Sequence, residues 1–281
     1  MSEEVDPRSF LFVTLDSCRY DTFAELRPPS LSKVGPLYRA KAPGTFTYGS
    51  HAAMFVGFTP GVFELREPYV NPKFGRIFKM RSRGVADSRA PWVQLDGRNI
   101  VEGFKLLGYR TIGAGGVNWF NPATPTAQVL VSDFDEFYFG GRPASVRRQA
   151  EFLWHHVRGA AGAQPLFVFL NVGETHVPYY FDGAPWSPDR NPCRPFAEDN
   201  DTVECRTRQQ ACLDFVDQEV GPLLEAFREA NILVCADHGD AWGEDGLWEH
   251  GIHHDKVLEV PLLMRLQNSP MVDHLSRMRA T

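Results

Sequence analysis

The stretch that decides the fold is Phe10–Leu15, FLFVTL, an apolar run that ends directly at Asp16 and Ser17. A short, continuous apolar run predicts a strand that is buried on both faces of a sheet. Similar runs predict four more strands, at Tyr109–Ala114, Leu166–Leu170, Ile232–Cys235 and Val260–Met264. Helical spacing of apolar residues lies between them, at Asn99–Leu107, Ser145–Val157 and Arg208–Glu229. This alternation predicts an α/β fold, with a mostly parallel central sheet flanked by helices on both faces.

Composition limits the class of protein. The 281 residues are 43% hydrophobic and 23% charged, which favours a folded domain and excludes a disordered chain. The net charge of −6 argues against a nucleic-acid partner. No apolar run reaches the length of a membrane span, and the polar start MSEEVDPRS is unlike a signal peptide, so we expect no membrane partner.

The five cysteines form no C-x-x-C pair, which favours reduced thiols and a cytoplasmic protein. Cys193 and Cys205 flank one loop and stay open as a pair.

Two segments interrupt the alternation of strands and helices. Asn71–Arg89 holds six basic residues and one acidic residue, and Asp182–Arg206 is rich in proline, aspartate and arginine without periodicity. Both are predicted to be long loops, which in compact domains are functional lids or mobile surface. For the basic segment, a solvated surface and a functional lid are equally favoured.

Polar side chains follow three of the predicted strands. Asp16 ends the first, Glu174 and His176 follow the third, and Asp237 and His238 follow the fourth. In a parallel sheet, ligands bind beyond the carboxyl ends of the strands, so these side chains are expected to converge there. Carboxylates and imidazoles together are the ligand types of a divalent cation.

These residues lie in motifs that resemble a known family. VTLDSCRYDTF (Val13–Phe23) is similar to the opening of sulfatase-like members of the alkaline phosphatase superfamily, where a strand ends in a metal-binding aspartate. GTFTYGSHAAMFVGFTPG (Gly44–Gly61) resembles the family's nucleophile segment, with Thr47 at the nucleophile position and His51 in place of an arginine. Further stretches resemble the family's helices and strand ends: RNIVEGFKLLGYRTIGAGG, THVPY, DFVDQEVGPLLEAF, ILVCADHGDAWGEDG and VLEVPLLMR.

The resemblance implies one metal site formed by Asp16, Thr47, Asp237 and His238. A divalent cation on a threonine hydroxyl stabilises the alkoxide, and a helix start adds backbone N–H groups that favour negative charge. Three oxygens and one nitrogen suit Mn²⁺ or Zn²⁺ better than Ca²⁺. We expect one ion, with two as the alternative. Thr47 as a simple helix N-cap is the structural alternative, and the neighbouring hydroxyls Thr45, Tyr48 and Ser50 are the other candidate nucleophiles.

Departures from sulfatases indicate the substrate class. Thr47 cannot be converted to formylglycine, Ser17 stands where sulfatases usually carry a second acid, and Gly113–Phe120 lacks their lysine and histidine. The pattern implies a small phosphorylated substrate and a metal-dependent phosphoric ester hydrolase, acting on a monoester, diester or phosphonate. His176 and His250 are expected to bind phosphate oxygens, protonate the leaving group or hold a second metal. The residues expected to contact the substrate are His51, Asn118 and His253.

Two alternatives share these motifs. A transferase would pass the phosphoryl group from Thr47 to an alcohol instead of water, and a binding protein would keep the fold without catalysis. The retention of all four metal-site residues argues against the second. Residues 1–281 are expected to form a single sulfatase-like catalytic domain. Many relatives continue into a C-terminal subdomain, so a chain ending soon after VPLLMRL is expected to lack a full one and to have a more open cleft.

Overall fold

The computed structural model describes residues 5–57, 99–141, 145–159 and 164–267. The basic segment Asn71–Arg89 therefore lies outside the described residues. The strands of the described part are β1 (Phe10–Leu15), β2 (Tyr38–Lys41), β3 (Arg110–Gly115), β4 (Glu136–Phe139), β5 (Leu166–Val172), β6 (Asn231–Ala236), β7 (Ala241–Trp242), β8 (Trp248–Glu249) and β9 (Glu259–Arg265). The α-helices are α1 (Tyr20–Leu26), α2 (Thr47–Val56), α3 (Ile100–Leu106), α4 (Pro125–Val131), α5 (Val146–Gly159), α6 (Thr202–Ala226) and α7 (Asp255–Leu258).

The central sheet has the strand order β2-β9-β6-β1-β5-β3-β4. Strands β6, β1, β5, β3 and β4 run parallel to one another, whereas β9 is antiparallel to both of its neighbours. The short ribbon β7–β8 lies outside this sheet. The predicted mostly parallel sheet is thus confirmed, and β1 occupies its middle.

Helices cover both faces of the sheet, as predicted. Along β1, Leu11, Val13 and Leu15 belong to an apolar cluster with residues of α1, α5 and α6. Phe12, between them, belongs to a second cluster with residues of α2, α3 and α4. Because successive side chains of a strand point to opposite faces, this division places the two helix layers on opposite sides. A strand that is apolar on both faces fits only the interior of such a sandwich.

All five predicted strands are present: β1 has the predicted bounds, β3 begins and ends one residue later than predicted, and β5, β6 and β9 extend one or two residues beyond the predicted ends. Two strands of the central sheet were missed, β2 and β4, because they are short and lie at the edges of the sheet, where the sequence has no long apolar run. The two-residue strands β7 and β8 of the separate ribbon were also missed. The helix predicted at Arg208–Glu229 is α6 and begins at Thr202, since the Asp201 side chain accepts hydrogen bonds from the N–H groups of Val203 and Glu204 at 2.9 Å each. The predicted loop Asp182–Arg206 therefore ends five residues early.

The loop before α6 is packed into the fold. A third apolar cluster combines buried Tyr179, Cys193 and Trp242, with the partly buried Phe181 and Trp186 against it. All five cysteines are buried and have free thiols. Cys193 Sγ lies 3.4 Å from the Ala241 carbonyl oxygen, so the loop also contacts the segment after β6. In the part of the chain that the structure describes, no helix combines the length and hydropathy that a membrane span requires.

Glu174, which follows β5, turns into the protein and away from the other strand ends. One carboxylate oxygen accepts a hydrogen bond from the N–H of Val146, at the start of α5, at 2.5 Å. The other oxygen, Oε2, is buried without a hydrogen-bond partner. Burial raises the pKa of Glu174 to about 7, although the Val146 hydrogen bond opposes the shift.

This raised pKa predicts a loss of stability as the pH rises. The folded protein holds the Glu174 proton up to a pH of about 7, whereas an unfolded chain releases it near 4.5. Between these values the folded state binds more protons, so its free energy of unfolding falls as the pH increases, by about 3 kcal/mol in all. Glu174→Gln removes this loss, so its stability relative to the unsubstituted protein should rise steadily from pH 4.5 to 8.

Urea unfolding at a series of pH values measures the difference between the two proteins. The exposed Glu198 offers a matched control, because Glu198→Gln removes one surface charge and no buried one. A stability difference between Glu174→Gln and the unsubstituted protein that stays constant across this pH range would contradict the assignment.

Candidate metal centre and active site

The sheet order brings the polar strand ends together. Strand β1 pairs with β6 on one side and with β5 on the other, all in parallel, so their carboxyl ends lie at one edge. Asp16 follows β1, and Asp237 and His238 follow β6. Thr47 is the first residue of α2, preceded by Phe46 in extended conformation as the N-cap. These four side chains are fully buried, each with 0% exposure.

Their donor atoms have the spacing of a metal coordination shell. Thr47 Oγ1 lies 3.4 Å from both carboxylate oxygens of Asp16 and 3.4 Å from His238 Nε2. His238 Nε2 lies 3.7 Å from Asp16 Oδ1 and 3.6 Å from Asp237 Oδ2. Ligands at about 2.0–2.2 Å from a tetrahedral ion stand about 3.3–3.6 Å apart, which closely matches these separations.

The charges of the cluster also fit a cation. Asp237 Oδ1 accepts hydrogen bonds from the N–H groups of Ser17 at 3.2 Å and His238 at 3.0 Å. Asp237 Oδ2 is buried with no hydrogen-bond partner. Burial and the nearby charge of Asp16 raise the pKa of Asp237 well above its ordinary value. An unpartnered carboxylate oxygen among other metal-binding donors is what a divalent cation would satisfy.

His238 is held in the form that binds metals. Its Nδ1 lies 3.0 Å from the Gly239 carbonyl oxygen, so Nδ1 carries the proton and donates it to that carbonyl. Burial lowers the pKa of His238 to about 4. The ring is therefore neutral at neutral pH, and the lone pair on Nε2 faces the carboxylates.

Two further histidines line the same place. His176 donates from Nδ1 to the Val177 carbonyl oxygen at 2.7 Å, and its Nε2 lies 4.0 Å from Asp16 Oδ1. The ring of His250 lies 5.0 Å from that of His176 and 4.4 Å from that of His238, measured between centroids. The rings of His176 and His250 thus lie beside the four-residue cluster, as expected of groups that contact a substrate held there.

A buried chain of hydrogen bonds orients His250. Its Nδ1 lies 2.7 Å from Asp240 Oδ1, and the other oxygen of Asp240 accepts from the Tyr179 hydroxyl at 2.7 Å. The Trp242 ring N–H donates to the Tyr179 hydroxyl at 2.8 Å. Burial alone would lower the pKa of His250, but the hydrogen bond to Asp240 prevails and raises it to about 9. This arrangement leaves His250 Nε2 as the ring atom available to a substrate oxygen.

The structure departs from the expected substrate contact of His51. The side chain is fully buried, with Nδ1 2.8 Å from the Thr47 carbonyl oxygen and Nε2 2.9 Å from Thr14 Oγ1. The rings of Phe55, Phe120 and Phe169 pack against the imidazole, each nearly perpendicular to it. Both nitrogens are engaged inside the protein, so His51 supports the site from behind and does not face a substrate. Its small, largely neutral ring explains how a polar residue fits there: burial lowers its pKa to about 4.

The other expected substrate residues lie nearer the surface. Asn118 is exposed and begins a single 3₁₀ turn, Asn118–Phe120, with two residues between it and the end of β3. His253 is exposed in the segment that joins β8 to α7. The substrate roles of both residues stay predictions. The neighbouring His254 accepts a hydrogen bond from the Lys256 N–H and caps α7.

Sequence reasoning assigned no role to two residues of the site. Asp240 follows His238 by two residues, and only its position in the DHGD stretch indicated a link with the site. Asn171, the last polar residue of β5, donates from Nδ2 to Thr14 Oγ1 at 3.2 Å and to Asp16 Oδ2 at 3.5 Å. In sequence Asn171 directly follows the predicted strand Leu166–Leu170, and nothing distinguishes it from a structural asparagine.

Solved structures of low sequence identity share this fold. The C-terminal periplasmic domain of phosphoethanolamine transferase EptC from Campylobacter jejuni superposes with a TM-score of 0.61 at 11% identity, covering 96% of this chain and 82% of that one. The corresponding Escherichia coli domain in complex with zinc gives 0.58 at 14% identity, covering 97% and 76%. The lipoteichoic acid synthase LtaP from Listeria monocytogenes gives 0.56 at 10% identity, covering 95% and 67%. These likenesses establish an alkaline phosphatase/sulfatase-like fold.

The sequence comparisons point the same way. No curated protein matches the chain. The family profile described as Sulfatase matches residues 81–270, which is more than half of the 281 residues. The match covers β3 to β9, including Asp237, His238 and the histidines beside them, whereas Asp16 and Thr47 lie before it. On this match and on the shared fold, the chain belongs to the sulfatase family.

Proposed function

We propose that the protein is a metal-dependent phosphoric ester hydrolase in which Thr47 is the nucleophile. The observation that carries the proposal is the position of Thr47 Oγ1, 3.4 Å from Asp16 and from His238 at the first turn of α2. A hydroxyl that only capped a helix would face the backbone N–H groups of that helix, whereas this one faces a carboxylate and an imidazole. A bound divalent cation would supply charge neutralisation for the alkoxide and the phosphoryl oxygens.

The residues that would hold the ion are Asp16, Thr47, Asp237 and His238. Their three oxygens and one nitrogen suit Mn²⁺ or Zn²⁺, and zinc is the metal in the Escherichia coli neighbour. A second group, His238, Asp240 and His250, also has donor atoms within 4.8 Å of one another. However, both oxygens of Asp240 already accept short hydrogen bonds from His250 and Tyr179. This favours one ion and leaves two as the alternative.

The other steps of the proposed reaction are assigned to side chains of this protein. Thr47 attacks the phosphorus and loses its proton to a neighbouring base or to solvent, while the P–O bond to the ester alcohol breaks and the alcohol leaves with a proton from His250 or His176. His250 and His176, beside the cluster, contact the non-bridging or leaving oxygens, with Nδ1 of each ring fixed by a hydrogen bond. Because each Nδ1 is engaged, Nε2 is the atom that would donate to a phosphate oxygen. Water then hydrolyses the phosphothreonine.

Phosphoryl transfer to an alcohol is the second candidate. The solved structures described above are a phosphoethanolamine transferase domain and a lipoteichoic acid synthase by name, which supports this alternative. Both reactions share the first step on Thr47, so the acceptor distinguishes them. Product analysis with an aryl phosphate in the presence of glycerol separates water from alcohol as the acceptor. If glycerol phosphate is the main product, the activity is phosphoryl transfer and not hydrolysis.

The proposed ligand set predicts a metal content. The purified protein should carry about one Mn²⁺ or Zn²⁺ ion per chain, and Asp237→Ala/His238→Ala should lose it, because half of the ligands are removed. Elemental analysis of dialysed protein measures the effect. His155→Ala is the control, since His155 is an exposed histidine on α5. An unchanged metal content in the double variant would rule out this site.

The assignment of Thr47 as the nucleophile predicts how the activities of its variants rank. Thr47→Ala should abolish turnover, and Thr47→Ser, which keeps a hydroxyl, should retain part of it. The phosphorylated enzyme trapped by acid quenching should carry its phosphate on Thr47, which peptide mass spectrometry locates. Thr45→Ala and Ser50→Ala test the neighbouring hydroxyls and should remain active. Near-normal turnover of Thr47→Ala would transfer the role to one of them or to a metal-bound water.

The substrate class predicts a preference among three esters of one phenol. Under one metal condition, the aryl phosphate or aryl phosphodiester should be cleaved faster than the aryl sulfate, because Thr47 is not a formylglycine precursor and two histidines face the transferred group. His250→Ala or His176→Ala should lower turnover by about 10²–10⁴-fold, as the loss of a general acid usually does. A clear preference for the sulfate would refute both the class and the Thr47 mechanism.

A further inference from the structure

One buried glutamine on α6 touches both of the segments that surround Asp16. Gln209 is fully buried, and its Nε2 donates to the carbonyl oxygens of Ser17 at 2.9 Å and Thr175 at 3.0 Å. Its Oε1 accepts from the Thr22 hydroxyl at 2.7 Å and from the N–H of Arg19 at 3.4 Å. A carboxamide has two donors and can accept two hydrogen bonds, so every polar position of Gln209 is used.

Ser17, one of the two residues whose carbonyl oxygens Gln209 binds, lies in a strained turn. Ser17 has a φ of 58°, in the left-handed region that non-glycine residues rarely adopt. This conformation turns the Ser17 N–H toward Asp237 Oδ1, at 3.2 Å, across the edge of the sheet. The turn thus connects the segment after β1 with the carboxylate that follows β6. A turn of this kind persists only where surrounding contacts hold it.

Thr175, the other backbone partner of Gln209, holds the peptide group of Asp16. The Thr175 hydroxyl donates to the Asp16 carbonyl oxygen at 2.7 Å, while the Thr175 carbonyl is bound by Gln209. The amide of Gln209 therefore ties together the backbone segments after β1 and β5. Neither Ser17 nor Thr175 is exposed, so water cannot replace these hydrogen bonds.

We infer that Gln209 is a positioning residue for the metal site, because it holds the left-handed Ser17 turn and thereby fixes Asp16 and Asp237 relative to each other. The inference rests on the proposed metal-dependent function and deepens it. Gln209 contacts neither the metal-binding atoms nor the place of the substrate. It acts through the backbone, as groups behind metal ligands usually do.

Cobalt titration tests the inference without catalysis. Co²⁺ added to metal-free protein reports affinity and coordination geometry by its visible absorption, so a positioning effect appears directly. Gln209→Met keeps the length of the side chain and removes its hydrogen bonds, and should weaken Co²⁺ binding by about 10–100-fold and alter the spectrum. Thr22→Val removes only the hydroxyl that anchors Gln209, and should give a smaller loss of the same kind.

Rescue separates positioning from general destabilisation. Glycine adopts positive φ without strain, so Ser17→Gly in the Gln209→Met background should recover part of the lost Co²⁺ affinity. Asp217→Asn is the matched control: Asp217 is buried on the same helix and accepts from the N–H groups of Ser30 and Leu31, away from the site. It should lower the melting temperature and leave the Co²⁺ affinity unchanged.

The outcomes distinguish this inference from the proposed function. Failure of the unsubstituted protein to bind Co²⁺ would refute the metal site, and with it both proposals. Binding by the unsubstituted protein, together with equal affinity and spectrum in Gln209→Met, would refute the positioning role alone, as would an equal loss in Asp217→Asn. Should Gln209→Met not fold, Thr22→Val decides, and an unchanged Co²⁺ affinity in that variant overturns the inference.

Discussion

Two carboxylates buried side by side, Asp16 and Asp237, are the constraint on which the rest of the site depends. Asp16 and Asp237 are each fully buried, and the group that they form with His238 has donor atoms within 4.8 Å of one another. Removing an ion from water costs several kcal/mol, and a second like charge at this distance adds repulsion. The hydrogen bonds from backbone N–H groups to Asp237 Oδ1 offset part of this cost, but Oδ2 has no partner. Such an arrangement is stable only with a positive charge or a proton between the carboxylates.

The surroundings of the carboxylates keep their geometry fixed. On one side, Asn171 links β5 to both Thr14 and Asp16, and on the other the Trp242–Tyr179–Asp240 chain holds His250. Tyr179 and Trp242 also belong to the apolar cluster that packs the loop before α6. The loop thus contributes to the site through the core beneath it. This gives Asp182–Arg206, read from sequence as a lid or a mobile surface, a supporting function in its described conformation.

The sequence predicted the parts of the molecule that depend on local patterns. The run at Phe10–Leu15 is apolar on both faces, so its central place in the sheet follows from burial, and the site follows from the polar residues at the strand ends. The directions in which side chains point were harder to predict from the sequence. Glu174 and His176 both follow β5, yet Glu174 points to α5 and His176 to Asp16, because a turn separates them and no periodicity describes it. The Ser17 turn was likewise hidden, since serine carries no sequence signal of positive φ.

His51 links Thr47, the proposed nucleophile, to the strand that ends at Asp16. A carbonyl oxygen only accepts, so His51 Nδ1 donates to the Thr47 carbonyl and Nε2 accepts from the Thr14 hydroxyl. Thr14 Oγ1 in turn accepts from Asn171 Nδ2. The first turn of α2 is therefore bound to β1 two residues before Asp16 and, through the same hydroxyl, to β5. A guanidinium, which keeps its charge, could not lie among the surrounding phenylalanines without an ion partner, whereas a neutral imidazole makes both bonds. An arginine at this position would carry a charge that could bind substrate. His51 carries no such charge, but its two hydrogen bonds hold Thr47 beside Asp16.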